Sequence, residues 1–515
     1  MIKELKNKAE SSSDNKLFDF QFSENLKLQI YPASLNDLDG ELFFIAKEYG
    51  EKYLFIISRG NKKNNYIRFD GVEINSRVEN LILKKCQLNT QNRKYIQQLF
   101  EFTKPVTIGL HNSFGFGDRI GLANAGHLRS LGKSNFKPIL AQQSIRELTR
   151  TNRTADKVMD AAVWAVFQEG YKKGFGADAD HLKTEDDITL MMTAGYKMLT
   201  FDPSAFVNND ADNYSQSELK KIVDDFNWIN FGSSFEGLKK EYLTETKIDK
   251  ELSLKPAEIN LMRALVKYGD ALIHIKNLYS YLKKNFAGDN YEVEISVDET
   301  DSVTSTFEHF FIAKELKRLK IDFISLALRF VGDFEKGIDY KGDLNLFKRE
   351  YINHLKIVKY IGNYKISLHS GSDKFSVYKV IGSLKDASTH VKTAGTSYLE
   401  ALKVTALKEP DLFRKILDFS RDLYEEEKKT YHVSAVIGKV KDSCSYNNEE
   451  LLELFNLDDA RQVLHVTFGR VLTEKDSAGN HLFKQKIINC LNQNEELHYK
   501  ILIRHFNKHL KPFNL

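Results

Sequence analysis

The sequence predicts an α/β fold, a closed (β/α)8 barrel of the TIM type, with a small β-rich N-terminal domain and a helical C-terminal extension. Three observations predict it. From Pro105 onward, short apolar strands alternate with amphipathic helices, as a parallel sheet requires. Eight strand–helix units can be counted, and their span of roughly 330 residues suits a barrel with insertions. The competing doubly wound open sheet needs a Gly-rich nucleotide turn. The nearest stretch, Phe114-Gly115-Phe116-Gly117-Asp118-Arg119-Ile120, lacks the third glycine.

Taken in order, residues 1–104 are read as the β-rich domain. Leu42-Phe43-Phe44-Ile45 and Tyr53-Leu54-Phe55-Ile56-Ile57 are strand-like runs, and Gly60-Asn61 and Asp70-Gly71 are turn signals. A helix around 92–103 links this part to a barrel over 105–440. Its strands are expected at 106–110, 138–142, 175–181, 196–201, 291–297, 322–330, 364–369 and 388–392. Helices are expected at about 156–172, 186–194, 305–319, 344–361 and from Ser397. Residues 204–290 form a helical insertion, with helices near 217–241 and 256–284 suited to capping the barrel mouth. Residues 441–515 form the helical extension. Its basic end carries His505 and His509 four residues apart, read as an exposed helix end rather than a metal pair.

Composition narrows the function classes. Of 515 residues, 75 are Lys or Arg and 71 are Asp or Glu, so the net charge of +4 leaves no electrostatic footprint for nucleic acid. No apolar run approaches the roughly 18 residues of a membrane span. The stretch MIKELKNKAESSSDNK has no apolar signal core. Cys86, Cys444 and Cys490 are odd in number and far apart, as reduced thiols are. A cytoplasmic protein is expected.

Barrel chemistry sits where the strands end. Gly174-Phe175-Gly176-Ala177-Asp178-Ala179-Asp180-His181-Leu182-Lys183 brings two Asp, a His and a Lys to one strand end. Side chains alternate along a strand. In YEVEISVDE, Val293, Ile295 and Val297 therefore face the helices, while Glu292, Glu294, Ser296 and Asp298 face the lumen. A lumen carboxylate is costly unless paired or metal-bound, so Glu294 is either functional or ion-paired to a lumen Lys or Arg. Glu299 is the runner-up. By the same parity Lys365, Ser367 and His369 face inward, and His181 and His390 occupy equivalent ends. Histidines with a carboxylate suit a divalent metal. The cations Arg119, Lys183, Arg329, Lys374 and Lys392 suit an anionic substrate.

The stretches SFGFGDRIGLANAGH (113–127), LAQQSIRELTRTNRT (140–154), FQEGYKKGFGADADHLKT (167–184), EISVDETDS (294–302), LRFVGDFEKGIDYKGD (328–343), LHSGSDKFSVY (368–378) and HVKTAGTSYLEAL (390–402) run in order through most of 105–440. Through them the chain resembles the tagaturonate epimerases of hexuronate catabolism. The resemblance implies an isomerase that interconverts D-tagaturonate and D-fructuronate at C4 with a divalent cation (Zn, Mn, Ni or Co). Because the C4 hydrogen lies β to the C2 carbonyl, retro-aldol/aldol or acid/base chemistry is the expected route. It implies Asp180 as proton acceptor, Glu294 as proton donor, and His181 and His369 as metal ligands. Glu335 is the third ligand, with His390 the alternative. Asp178 stands behind them. Arg119, Gln143, Lys183, Arg329, Lys374, His390 and Lys392 are expected to bind the substrate. An isomerase or aldolase acting on a related keto acid or ketose, and a non-catalytic sugar-acid binder, are the alternatives. The binder needs no acid/base pair.

Overall fold

The centre of the N-terminal sheet is covered on both faces, which is why residues 42–46 and 54–57 read as unbroken apolar runs. The structure, a computed structural model, describes residues 1–12, 16–59, 65–75, 81–384 and 387–513. The turn signal Gly60-Asn61 lies outside them. Strands β1 (Phe18–Ser23), β2 (Leu26–Ile30), β3 (Asn36–Leu38), β4 (Glu41–Glu48), β5 (Glu51–Ser58), β6 (Gly71–Asn75) and β7 (Ile82–Cys86) pair antiparallel in the order β1-β2-β4-β5-β7-β6, with β3 on β4. Leu42, Phe44, Phe55 and Ile57 pack on one face with Leu5 of the helix Ile2–Glu10. Phe43, Ile45, Leu54 and Ile56 pack on the other, against Trp164 and Phe167 of the helix Ala155–Gln168.

Eight parallel strands close the barrel in chain order: β8 (Ser113–Phe116), β9 (Lys137–Ser144), β10 (Gly176–Leu182), β11 (Met198–Phe201), β14 (Glu292–Ser296), β15 (Ser325–Ala327), β16 (Lys365–Leu368) and β17 (Thr389–Thr393). A two-stranded ribbon, β12 (Thr246–Lys247) and β13 (Ser253–Leu254), lies between β11 and β14. Seven of the predicted strands match in place. The first does not. Residues 106–110 carry no strand, and β8 begins three residues after them. Their backbone is held by side chains from the strands' N-terminal ends instead. The Glu292 carboxylate accepts from the N–H of Ile108 (3.0 Å) and of Gly109 (2.8 Å). Lys365 Nζ donates to the carbonyls of Gly109 (2.9 Å) and His111 (3.0 Å). The segment therefore plugs the barrel's N-terminal end, with Gly109 at φ +63°.

The insertion also differs. The stretch 217–241 is three helices, Gln216–Asp224, Trp228–Phe231 and Phe235–Tyr242, each started by its own capping residue: Ser215, Asn227 or Ser234. No residue of 204–290 lines the barrel-mouth cavity described below. The C-terminal region, with a core of its own around Leu399, Phe413, Val463 and Leu472, roofs it instead. The final helix Glu495–Leu510 is not an exposed basic end. His505 and His509 are buried against Asp373, because this helix packs onto the barrel through Phe506 and Leu502. Among the described residues, no helix is long and apolar enough to cross a membrane.

Candidate active site

Asp180 and His181 are adjacent in sequence, so strict alternation would send them to opposite faces. The structure brings both to the cavity because β10 is irregular there. Its register against β11 slips between Ala179 and Leu182, and His181 adopts the left-handed φ of +55°. Such a bulge re-aims side chains at the cost of local strain. Asp178 and Asp180 point into the lumen from β10, Glu294 from β14, and Lys392 from β17.

Lys392 is the hub. Its Nζ lies 2.8 Å from Asp178 Oδ2, 2.8 Å from Asp180 Oδ1 and 2.7 Å from Glu294 Oε1, and it donates to Thr200 Oγ1 at 2.6 Å. Glu294 Oε1 also lies 2.7 Å from His369 Nε2. Burial raises the Glu294 pKa, but Lys392 and His369 outweigh it and hold the group well below the usual carboxylate range. Asp180 is likewise lowered, with burial opposed by His181 and Lys392. Asp178 is pushed up to about 6, by burial and by the like charges of Asp180 and Glu294, against the pull of Lys392. Each histidine is backed by a carboxylate. His181 Nδ1 is 3.1 Å from Asp202 Oδ2, and His369 Nδ1 is 3.2 Å from Asp298 Oδ1. Burial lowers both imidazole pKa values, but Asp180 and Asp202 raise His181 to about 9, and Asp298 and Glu294 raise His369 to about 10.

Asp180, His181, Asp298, His369 and Lys392 line a cavity of about 460 Å³ at the C-terminal ends of the strands. Arg119, Arg146, Arg329 and Lys336 line it as well, and Tyr431, His432 and His465 close it from the C-terminal region. Lys183 stands in an adjoining cavity with Asp202 and Glu299. Arg119 is buried, bound to Glu147 at 2.9 Å and stacked on Phe468.

Four expected residues stand elsewhere. Glu335 does not join the histidines: its carboxylate accepts from Ser434 Oγ and Gln462 Nε2, both at 2.7 Å, in the C-terminal region. Lys374 is spent on the carbonyls of Glu335, Ile338 and Ser372, and burial lowers its pKa to about 7. Gln143 points away from the lumen, donating to Asp118 O at 3.0 Å. Its neighbour Gln142 faces inward instead and donates to Asp180 Oδ2 at 3.3 Å. Strand parity would have chosen it, because Gln142 pairs in register with Asp178. His390 lies one layer deeper in the lumen, 2.9 Å from Ser113 Oγ, and burial holds its pKa down to about 3. Asp202 and Asp298 behind the histidines, Lys336 on the wall and the roof residues are additions. The first three stand at strand ends in the sequence, but nothing local marks the roof.

Among the described residues, Asp180, His181 and His369 form a group able to hold a metal ion, their ligand atoms within 4.8 Å of one another. The donor set fits a divalent cation. The Nδ1 of each ring faces a carboxylate, which fixes the ring and aims Nε2 at a second carboxylate, Asp180 at 3.6 Å for His181 and Glu294 at 2.7 Å for His369. Five carboxylates (Asp178, Asp180, Asp202, Glu294 and Asp298) also gather here, three of them sharing the single ammonium of Lys392.

A model of the UxaE family, tagaturonate epimerase, matches residues 31–513. The tagaturonate/fructuronate epimerase of Thermotoga maritima is 41% identical over 487 residues, covering 94% of this chain and 96% of that one. A glycerol-complexed crystal structure of the fructuronate-tagaturonate epimerase UxaE from Cohnella laeviribosi is 36% identical, with a TM-score of 0.88, covering 95% of this chain and 96% of that one. The native crystal structure from the same organism is 35% identical with a TM-score of 0.87, at the same coverage. The chain belongs to the tagaturonate epimerase family, carbohydrate epimerases of the isomerase class.

Proposed function

We propose that the protein interconverts D-tagaturonate and D-fructuronate by inverting C4; the names of its Thermotoga maritima and Cohnella laeviribosi relatives, as tagaturonate/fructuronate epimerases, support the conversion. The observation that carries this reading is the convergence of Asp180, His181 and His369 on one cation-rimmed cavity, with Glu294 buried behind its wall and bound to His369 and Lys392. Arg329 and Lys336 on its wall are suited to the substrate carboxylate. Asp180, His181 and His369 would hold a divalent cation, with Asp202 and Asp298 orienting the two rings. When bound, it would supply Lewis-acid polarisation of the C2 carbonyl.

The C4 hydrogen lies β to that carbonyl and is not acidified by it, whereas the C3–C4 bond is set for retro-aldol cleavage. Asp180, kept ionised by Lys392 and His181, takes the proton of the C4 hydroxyl. As C4 becomes an aldehyde carbon, the C3–C4 electron pair moves into the C1–C3 fragment as an enediolate. The roofed cavity holds both fragments while the aldehyde rotates, and C3 re-adds to its other face. Glu294 then relays a proton to the new C4 alkoxide. Because Glu294 is itself held ionised, that proton comes from Lys392, which it already touches and which is not one of the metal-holding residues.

Incubation with D-tagaturonate, with and without chelator, followed by NMR of the products, tests the reading. Fructuronate is expected when Mn, Zn, Ni or Co is present and not under chelation; no product with any of these ions would overturn it. His181→Ala is expected to lose both metal and turnover, and retention of both would reject the site. Trapping of three-carbon fragments by a dehydrogenase would support cleavage. Exchange of the C4 hydrogen with deuterated water, without cleavage, would sink it.

A further inference from the structure

We infer that His465, on the helix Asp458–Val466 of the C-terminal region, is a substrate-binding residue that hydrogen-bonds a hydroxyl of the sugar acid in the catalytic cavity. This rests on the reading of the cavity given above. The side chain is 1% exposed, yet neither Nδ1 nor Nε2 has a hydrogen-bond partner among the described residues. Buried polar atoms without partners are costly and rare, and here both belong to one ring on the wall that also carries Asp180, His369 and Lys392. The backbone makes room for the ring. A Cβ added at Gly395, three residues beyond Lys392, would lie 2.0 Å from its Cε1, and one at Gly337 would lie 3.1 Å from its Nδ1. An apolar side chain of this size would fill the space equally well, so packing alone does not call for an imidazole.

The surroundings define the ligand chemistry. Burial, with Arg119 and Lys336 nearby, holds the ring pKa well below its ordinary value, so the imidazole is neutral. A neutral imidazole offers one donor and one acceptor, and a sugar hydroxyl offers the same pair. The carboxylate is better matched by Arg329 and Lys336 on the same wall.

His465→Phe keeps the ring's bulk and removes both nitrogens. His465→Gln and His465→Asn each restore an amide donor and acceptor. In the tagaturonate assay His465→Phe is expected to raise KM about tenfold, the loss of roughly one buried hydrogen bond, with its thermal unfolding midpoint close to wild type. Gln or Asn is expected to recover most of that loss. Wild-type KM and kcat in His465→Phe, or a Phe variant better than both amides, would overturn the inference and leave the epimerase reading intact. Absence of tagaturonate turnover by the wild-type protein would overturn that reading and this one with it. Where the Phe variant does not fold, a crystal structure of the wild-type protein with tagaturonate decides. A sugar oxygen within about 3.2 Å of a His465 ring nitrogen supports the inference, and a bound sugar that leaves both nitrogens bare overturns it.

Discussion

Lys392 shows how much one side chain carries at the residue scale. It neutralises three buried carboxylates that would otherwise repel one another, Asp178, Asp180 and Glu294. Lys392→Met keeps the length of the chain and removes the charge. The carboxylate pKa values then rise, since burial and mutual repulsion already push them upward. Asp180 acts as a base only when ionised, so the acid limb of the kcat/KM profile is expected to move to higher pH. Unfolding is expected to cost about 3–5 kcal/mol less, the penalty of leaving buried charges unpaired. A pH–rate profile with an unmoved acid limb would show that Lys392 does not set the charge of the base. In the sequence Lys392 reads as one more strand-end cation facing an anionic substrate, because its partners lie on β10 and β14, about two hundred and one hundred residues away. Glu294 was legible, since period-two alternation puts it in the lumen. That same parity selects Gln142 rather than the expected Gln143. Glu335 and Lys374 sit in loops, which have no period to read.

At the scale of elements, the strands divide their labour along their length. Their C-terminal ends carry the cavity, and their N-terminal ends carry Glu292 and Lys365, which hold the plug at 106–111. Conversion of Glu292→Leu strips the acceptor from two backbone N–H groups and the counter-charge from Lys365. A loss of about 2–4 kcal/mol is expected, read as a lower denaturant midpoint at an unchanged m-value. Turnover is expected to stay near wild type, because nothing at this end faces the substrate. A variant of wild-type stability would mean that water satisfies the plug. This end also explains the misplaced first strand. Val106-Thr107-Ile108-Gly109-Leu110 has strand composition, yet Val106 and Leu110 are more than 40% exposed and the stretch pairs with no strand. The true strand, Ser113-Phe114-Gly115-Phe116, is short and half small residues, so it hides in a loop-like stretch. Several of the remaining strands were legible because capped helices follow them, such as the helix Glu185–Ala194 opened by the Thr184 capping box and the helix Thr306–Arg318 opened by that of Ser305.

Across the whole molecule, the C-terminal helix Glu495–Leu510 ties the parts together. Glu495 at its start pairs with Lys47 and Lys52 of the N-terminal sheet and accepts from Tyr31 Oη at 2.6 Å. His505 near its end lies 3.0 Å from Asp373 Oδ1 and 3.1 Å from Glu400 Oε1. None of these pairings leaves a local pattern, which is why the basic tail reads as solvated in the sequence and is buried in the fold. The His505 contacts have a pH signature. Burial lowers the imidazole pKa, but Glu400 and Asp373 outweigh it and raise it to about 9 from the ordinary 6.5. The folded protein therefore holds this proton more tightly than the unfolded chain does. The stabilisation is complete below pH about 6.5 and disappears as pH rises through about 9, and a shift of this size corresponds to roughly 3 kcal/mol. His181, His369 and Lys374 have shifts in or near the same range, so the measurement is a difference: unfolding free energy of the wild type minus that of His505→Gln, followed from pH 6 to pH 10. The difference is expected to be largest at the acid end and to shrink toward pH 9 and above. A difference independent of pH would mean that His505 is buried neutral and that the helix is held by packing alone.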